Sequence, residues 1–555
     1  MKKLFTYLLV ATLLMASLVI PAQADYAPDE VVTLTMFSMP SNFSGLQENT
    51  YWTDILRDKV GVQIELLPSG DQGEQKLAAL MAAHDFPDVV VLKSYKHVVD
   101  AIEAGLLLCL DDYPDELADA FANVPNAIQY FRDNVSNGTG KAYAFPNDVS
   151  TVSQSVGDTD YGPCLRWDLY KQIGMPEIAT YEELLPVMQQ MLEIYPTNED
   201  GQKVYGISLW TDWDSISMQS ADDFCAFYGH GKFNFIEVNY KDNTFGSIFD
   251  DESHYKRWLQ FLFDANQLGL VDPDSLSQRW NDYLDKQSAG RALFTYWTWG
   301  YGNYNTPERQ EQVIGFQPVY VQDVQIERGT GPNYIGGQWP YGIGASTSNL
   351  EKALRFVNWM YSYDGVWLMD HGEQGVYWDV DEDGPFLTEF GWQMERDPEL
   401  EYPNGGKHGQ GLSIINSFGP SSREISPTYG TTRSWLGWQK KEFAPADSAL
   451  VADWKDTMDA HNGSIAYLKS KGLMIEKDFA PMEPDSDEVN QVNLRIGDMC
   501  KTTSWLMVFA KDQAEFDSLW AEMVDKANGM NVQLSNDATI ANYENGLAFG
   551  SKYMK

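Results

Sequence analysis

The sequence predicts an α/β layered fold built from more than one domain, on three observations. Short β-rich runs alternate with helical stretches, the strand–helix–strand order that builds a layered sheet. Residues 88–92 (DVVVL) form a continuous apolar run, as in a strand buried on both faces of a parallel sheet. The chain has 555 residues, too many for one core, so roughly two to four domains are expected.

The elements follow in order. Residues 31–38 (VVTLTMFS) are β-rich, and a polar loop over 39–49 leads to a helical stretch at 51–59. Residues 62–66 alternate apolar and polar, the period of a strand. Residues 76–84 are rich in Ala, Leu and Met, hence helical, and 95–104 forms a further helix that Gly105 ends as C-cap. Residues 140–146 (GKAYAFP) are a strand leading out of this first domain. A second α/β segment has strands at 164–167, 204–210 and 292–297 and helices at 180–195, 254–268 and 277–286. Thr180 is the expected N-cap of the first of these helices. Residues 315–320 and 337–346 are strand-like and form a way back to the first domain. Ser348 and Glu351 have capping-box spacing before the helix 349–361, and the tail 447–525 is mostly helical.

Charge narrows the partners. Lys and Arg total 39 against 80 Asp and Glu, a net charge of −41, which excludes nucleic acid or an anionic membrane surface as the main partner. Lys2 and Lys3 precede an apolar stretch over 4–20, Pro21 breaks it, and Ala22-Gln23-Ala24 supplies a cleavage site. Residues 1–24 are therefore expected to be a secretory signal, and the protein to be exported, periplasmic or at the cell surface. No cysteine follows the apolar stretch, so no lipid anchor is written there. Cys109, Cys164, Cys225 and Cys500 include no CxxC pair; disulfides and buried thiols both remain open.

The catalytic motifs searched for are absent: there is no HExxH, no GxSxG and no Walker loop. The seven His are scattered without metal-site spacing on a helix. Asp379-Val380-Asp381-Glu382-Asp383-Gly384 fits the start of an EF-hand loop, but its twelfth position is Phe390. An acidic hairpin turn with a positive-φ Gly is the other reading. Asn198-Glu199-Asp200-Gly201 has Pro196 at the first ligand position and reads as a turn. Aromatics instead gather at strand ends: Trp210 and Trp213, Trp297 and Trp299, Trp339 and Tyr341, Trp435 and Trp438. Such rings stack on the apolar faces of sugars, or else pack cores.

Residues 76–92 (KLAALMAAHDFPDVVVL), 104–113 (AGLLLCLDDY), 140–146, 290–299 (GRALFTYWTW) and 342–364 together resemble an extracellular solute-binding protein of a bacterial ABC importer. The likeness is to the carbohydrate-binding group, in its larger oligosaccharide- and alginate-binding subgroup. The resemblance implies a two-lobe periplasmic-binding-protein-like fold of type II, with the ligand cleft between the lobes and crossing hinge strands. The implied division is 25–146 and 316–370 for the N-terminal lobe, and 147–315 and 371–555 for the C-terminal lobe. Crossings are expected at 145–149, at 316–320 and after the helix 349–361. Trp297 and Trp299 match the aromatic pair on the sugar face. Candidate ligand-binding residues are Asn42, Tyr95, Asn147, Asp148, Trp210, Trp213, Trp297, Trp299, Trp339, Tyr341, Trp435 and Trp438. The implied function is capture of an oligosaccharide by hinge closure and delivery to the permease subunits, by a monomer, with no catalysis and no cofactor beyond an optional calcium. A secreted glycoside-active enzyme with an aromatic cleft is the alternative.

Overall fold

The computed structural model describes residues 30–39, 41, 43–68, 72–153, 161–327, 332–337, 339–397, 399–410, 419–478, 480–482 and 485–554. The expected signal segment and Asn42 lie outside them. The chain divides into two compact units. One comprises residues 1–148, 337–421 and 426–430, the other 149–336, 422–425 and 431–555. The α/β expectation holds in both.

The first unit is built on a six-stranded mixed sheet. Val32–Ser38 runs parallel to Val62–Leu67 on one side and to Val89–Val91 on the other. The apolar run at Val89–Val91 is fully buried, as its composition requires. Tyr341–Ile343 then pairs antiparallel with both Val89–Val91 and Ala144–Phe145. Gly342 lets this strand insert closely: a Cβ there would lie 2.6 Å from Leu107 Cδ2, so a larger residue would have to displace the Leu107 side chain. The carboxylate of Asp88 ties the sheet to the next helix. It accepts from the Thr35 amide at 2.8 Å, the Thr35 hydroxyl at 2.9 Å, the Thr347 hydroxyl and the Asn349 amide. The expected capping box of Ser348 and Glu351 does not form. Asn349 is the N-cap of Leu350–Met360, and its side chain serves Asp88 rather than the helix start.

The second unit carries a three-stranded antiparallel sheet with Tyr161–Arg166 between Phe294–Trp297 and Phe316–Pro318. This pairing corrects the expected boundary at 316. Phe316–Pro318 belongs to the second unit, and the chain returns to the first at 336/337 instead. Residues 371–421 likewise stay in the first unit. The expected strand 204–210 is an extended segment held by single bridges. The Tyr205 amide donates to Arg291 O and the Ile207 amide to Leu270 O, so the two residues pair with two different segments and no ladder builds. A separate three-stranded hairpin sheet, His230–Phe233, Ile236–Asn239 and Thr244–Ser247, was not visible in the sequence reading. The helical tail extends to Asp487–Val508, Gln513–Gly529 and Val532–Gly550. It packs on His254–Gln267, where the Tyr255 hydroxyl meets Ser504 Oγ at 2.8 Å. All four cysteines are free thiols, three of them buried. Among the described residues no helix is long and apolar enough to cross a membrane.

A stack of rings closes part of the first unit. Tyr377 lies on His408 with centroids 4.2 Å apart, and Tyr51 on Tyr402 at the same separation. Tyr402 Oη and His408 Nδ1 are 3.0 Å apart. Burial, with a contribution from His371, pushes the His408 imidazole down to about 4. The folded value lies below the unfolded one of about 6.5, so the neutral ring favours folding above that pH. This contribution is lost as pH falls from about 6.5 through about 4, and its full size is roughly 3 kcal/mol. Urea unfolding of the wild type and of His408→Gln at about pH 7 and pH 4.5 should give a steeper acid loss in the wild type. Equal losses in the two proteins would refute the assignment.

Candidate functional site

In the second unit, the segment that follows Ile207 is held from below by a polar network. Ser208 Oγ donates to Asp272 at 2.8 Å, the Gln278 amide donates to Ser208 Oγ at 2.7 Å, and Lys286 reaches Asp272 at 2.6 Å. Trp210 emerges from this network, 4% exposed, with its ring stacked on Tyr296 at 5.8 Å and packed on Tyr283 at 4.6 Å. Beyond it the sequence Asp212-Trp213-Asp214 presents an indole between two acids. Each acid grips the start of a helix. Asp212 accepts the Trp280 amide at 3.0 Å, and Asp214 accepts the Gln219 amide at 2.9 Å and the Trp505 indole N–H at 2.7 Å. Burial pushes the Asp214 carboxyl up to about 6 against these two hydrogen bonds.

These grips fix Trp213 among other rings. It stacks on Trp280 with centroids 4.6 Å apart and an interplanar angle of 28°. It meets Trp297 edge-on at 5.9 Å and 81°. Trp213, Trp280 and Trp297 are each half-buried, whereas Trp210, Tyr283 and Tyr296 behind them are buried. The outcome is an indole corner, two ring planes nearly perpendicular, on a rigid aromatic backing. The strand Phe294–Trp297 ends there, and the chain turns into a short 3-10 helix, Thr298–Tyr301. Trp299 therefore does not continue the strand beside Trp297; its side chain lies outside the described part.

Three of the expected residues, Trp210, Trp213 and Trp297, come together in this cluster. Trp210 contributes as support, because its burial leaves no ring face for a ligand. Trp280 was missed. It opens the helix Trp280–Ser288 alone in sequence, without the paired aromatics that marked the other sites.

The remaining expected residues lie elsewhere. In the first unit, Asn147 is 2% exposed. Its carbonyl accepts the Gly337 amide at 2.6 Å and its Oδ1 the Trp339 amide at 2.9 Å, so it clamps a backbone segment. Tyr95 is half-buried, edge-on to Phe131, with its hydroxyl 3.4 Å from Gly337 O. Asp148 follows at φ 51°, and Trp339 is half-buried in the clamped segment. Tyr341 is 1% exposed on the second strand from the edge of the sheet, so the structure places it in the core. In the second unit, Trp438 is buried in its own loop, its indole N–H donating to Thr432 O at 2.8 Å. Trp435 is half-buried in the short turn Trp435–Gly437.

The two acidic loops have other partners. Trp378–Asp381 and Gly384–Leu387 form a tight hairpin with Gly384 at φ 108°, and Asp379 Oδ1 accepts from Gln374 at 2.7 Å and from the Val380 amide at 2.8 Å. In the other loop the Asn198 side chain donates to Ala289 O at 2.7 Å and to Gln202 Oε1 at 3.0 Å. Its Oδ1 accepts the Gln202 amide, and Arg309 lies 3.4 Å from Glu199. Among the described residues no group of three or more His, Cys, Asp or Glu is placed to hold a metal ion.

A model of the family described as bacterial extracellular solute-binding protein matches residues 43–367. The fructooligosaccharide ABC transporter substrate-binding protein FusA of Streptococcus pneumoniae is 18% identical over 320 residues, 55% of this chain and 56% of that protein. The match thus spans little more than half of that relative's length. Among solved structures, S. pneumoniae FusA, an EF-hand mutant in complex with fructo-nystose, aligns with TM-score 0.62 at 14% identity, covering 93% of this chain and 99% of the other. An HMO-binding ABC-transporter-associated solute-binding protein from Bifidobacterium longum infantis gives 0.61 at 14%, with the same coverage of 93% and 99%. The alginate-binding protein AlgQ2 without calcium ion gives 0.60 at 13%, covering 94% and 99%. At such identities the likeness is one of fold, and it agrees with the fold class expected from the sequence.

The burial difference within the indole cluster is open to measurement. Trp210→Ala should cost about 3–5 kcal/mol of unfolding free energy, as a buried aromatic does. Trp213→Ala and Trp297→Ala should cost clearly less. Comparable losses at all three positions in urea melts would mean that the corner is core and not surface.

Proposed function

Since the chain belongs to the bacterial extracellular solute-binding protein family, we propose that it captures a neutral oligosaccharide and hands it to the membrane permease of an ABC importer. The observation that carries this reading is the corner formed by Trp213, Trp280 and Trp297. A sugar ring has an apolar face that stacks on indole, and stacking contributes ~25 cal/mol per Å² removed from water. Two planes at 81° receive two successive rings of a bent chain, and a rigid backing spares the site the entropy of ordering its side chains. The net charge of −41 and the acids Asp212 and Asp214 beside the corner favour an uncharged ligand over a uronate. No catalytic step is assigned to the chain.

Calcium is not required in this proposal. In the loop Asn198–Gly201 the oxygen and amide groups of Asn198 are spent on protein partners, and Arg309 supplies positive charge beside Glu199. In the hairpin loop Asp379 is bonded within its own turn.

Fructooligosaccharides, other neutral oligosaccharides and alginate oligosaccharides should be compared by thermal shift. A ligand at 100 times Kd adds about 2.7 kcal/mol to native stability, enough for a clear rise in Tm. A rise is expected with a neutral oligosaccharide and not with alginate, and the sugar should be recovered uncut. Trp297→Ala should weaken binding by about 2 kcal/mol, near thirtyfold. No shift with any sugar, or hydrolysis of the bound one, would sink the reading. EDTA should leave Tm and affinity unchanged; a loss restored by calcium alone would show that one of the two loops holds the ion.

A further inference from the structure

We propose a second, independent binding site in the second unit: a two-histidine site for a borderline transition-metal dication, formed by His230 and His254. His230 opens the hairpin strand His230–Phe233, and His254 is the first residue of the helix His254–Gln267. Their rings lie 4.2 Å apart, tilted by 40°.

Each ring has its proton placed by a second group. His230 Nδ1 is 2.8 Å from the Tyr228 carbonyl, which can only accept, so Nδ1 carries the proton. His254 Nδ1 is 3.1 Å from Glu237 Oε2. The Glu237 carboxylate also accepts the His254 and Tyr255 backbone amides at 3.1 and 2.9 Å. It is therefore an acceptor, and His254 donates through Nδ1. In both rings the lone pair then sits on Nε2, and the hydrogen bonds of both rings run through Nδ1. A carbonyl or carboxylate behind Nδ1 with Nε2 left open is the arrangement that prepares an imidazole to bind metal.

Both rings line one cavity of about 420 Å³, together with Asn239, Thr244, Ser247 and four carboxylates, and with no Lys or Arg. The cavity favours a cation and has room for its water. No third His, Cys, Asp or Glu completes a ready-made group, so solvent fills the remaining positions. Imidazole nitrogen selects Cu(II), Ni(II) and Zn(II) over Ca(II) and Mg(II), with Cu(II) the tightest.

The test is calorimetric titration of the full chain, freed of metal with EDTA, with Cu(II), Zn(II) and Ca(II) in turn. One Cu(II) or Zn(II) should bind per chain, and Ca(II) should not bind at this site. His230→Gln and His254→Gln should each weaken binding at least about tenfold. Electron paramagnetic resonance of the Cu(II) form should lose nitrogen coupling in each variant. His254 sits at a helix start, so its variant is first checked by thermal melting; His230, on a hairpin, carries the test if that variant unfolds. Absence of binding, or equal affinity in wild type and His230→Gln, overturns the site.

Discussion

The strand Val89–Val91 has two hydrogen-bonding edges, and the early part of the chain fills only one of them. Val32–Ser38 takes the first. The other is taken by Tyr341–Ile343, which in turn holds Ala144–Phe145. Three fully buried valines cannot leave an edge unpaired, because buried amides and carbonyls without partners are costly. The return of the chain to the first unit is thus a requirement of that unit's own sheet. Asn147 and Asp88 serve the same requirement. Each is a buried polar residue that binds segments distant in sequence: Asn147 holds Gly337 through its backbone carbonyl and Trp339 through its side chain, and the Asp88 carboxylate holds Thr35 and Thr347.

In the second unit the same economy positions the indole corner. Asp212 and Asp214 do not face a ligand in the usual sense of acids beside an aromatic. Their oxygens hold the amides that begin two helices, and Trp213 is placed by being caught between them. The anion at each helix start is favoured by the helix dipole as well as by the hydrogen bond. The indole is consequently set by backbone geometry on both sides.

Much of the first unit was legible because its signals are local and strong. DVVVL could only be a buried strand, and Gly105, at φ 68°, ends its helix as expected. The misreadings have physical causes. Residues 204–210 have strand composition, but their bridge partners are Ala292 and Val271, and no local pattern announces single bridges to two separate segments. A crossing at 316–320 is what the family resemblance implies; only the pairing with Cys164–Arg166 assigns Phe316–Pro318 to the second unit. The capping box failed because the helix begins one residue later than that box requires: Asn349 and not Ser348 is the N-cap, which puts Glu351 at the second helical position. Of the candidate site, paired aromatics at strand ends gave Trp213 and Trp297, whereas Trp280 and Trp210 differ in burial in a way that no sequence window encodes. Tyr341 shared the aromatic signal and is core, since a ring's exposure depends on what packs over it.

The chain passes between the two units five times, at 148/149, 336/337, 421/422, 425/426 and 430/431. No contiguous stretch of sequence therefore corresponds to either unit, and neither is obtained by truncation. A protease that cuts one passage leaves four covalent links in place. The nicked protein would run as fragments on a denaturing gel and still travel as one particle on a sizing column, a durability well suited to a family that works outside the cell.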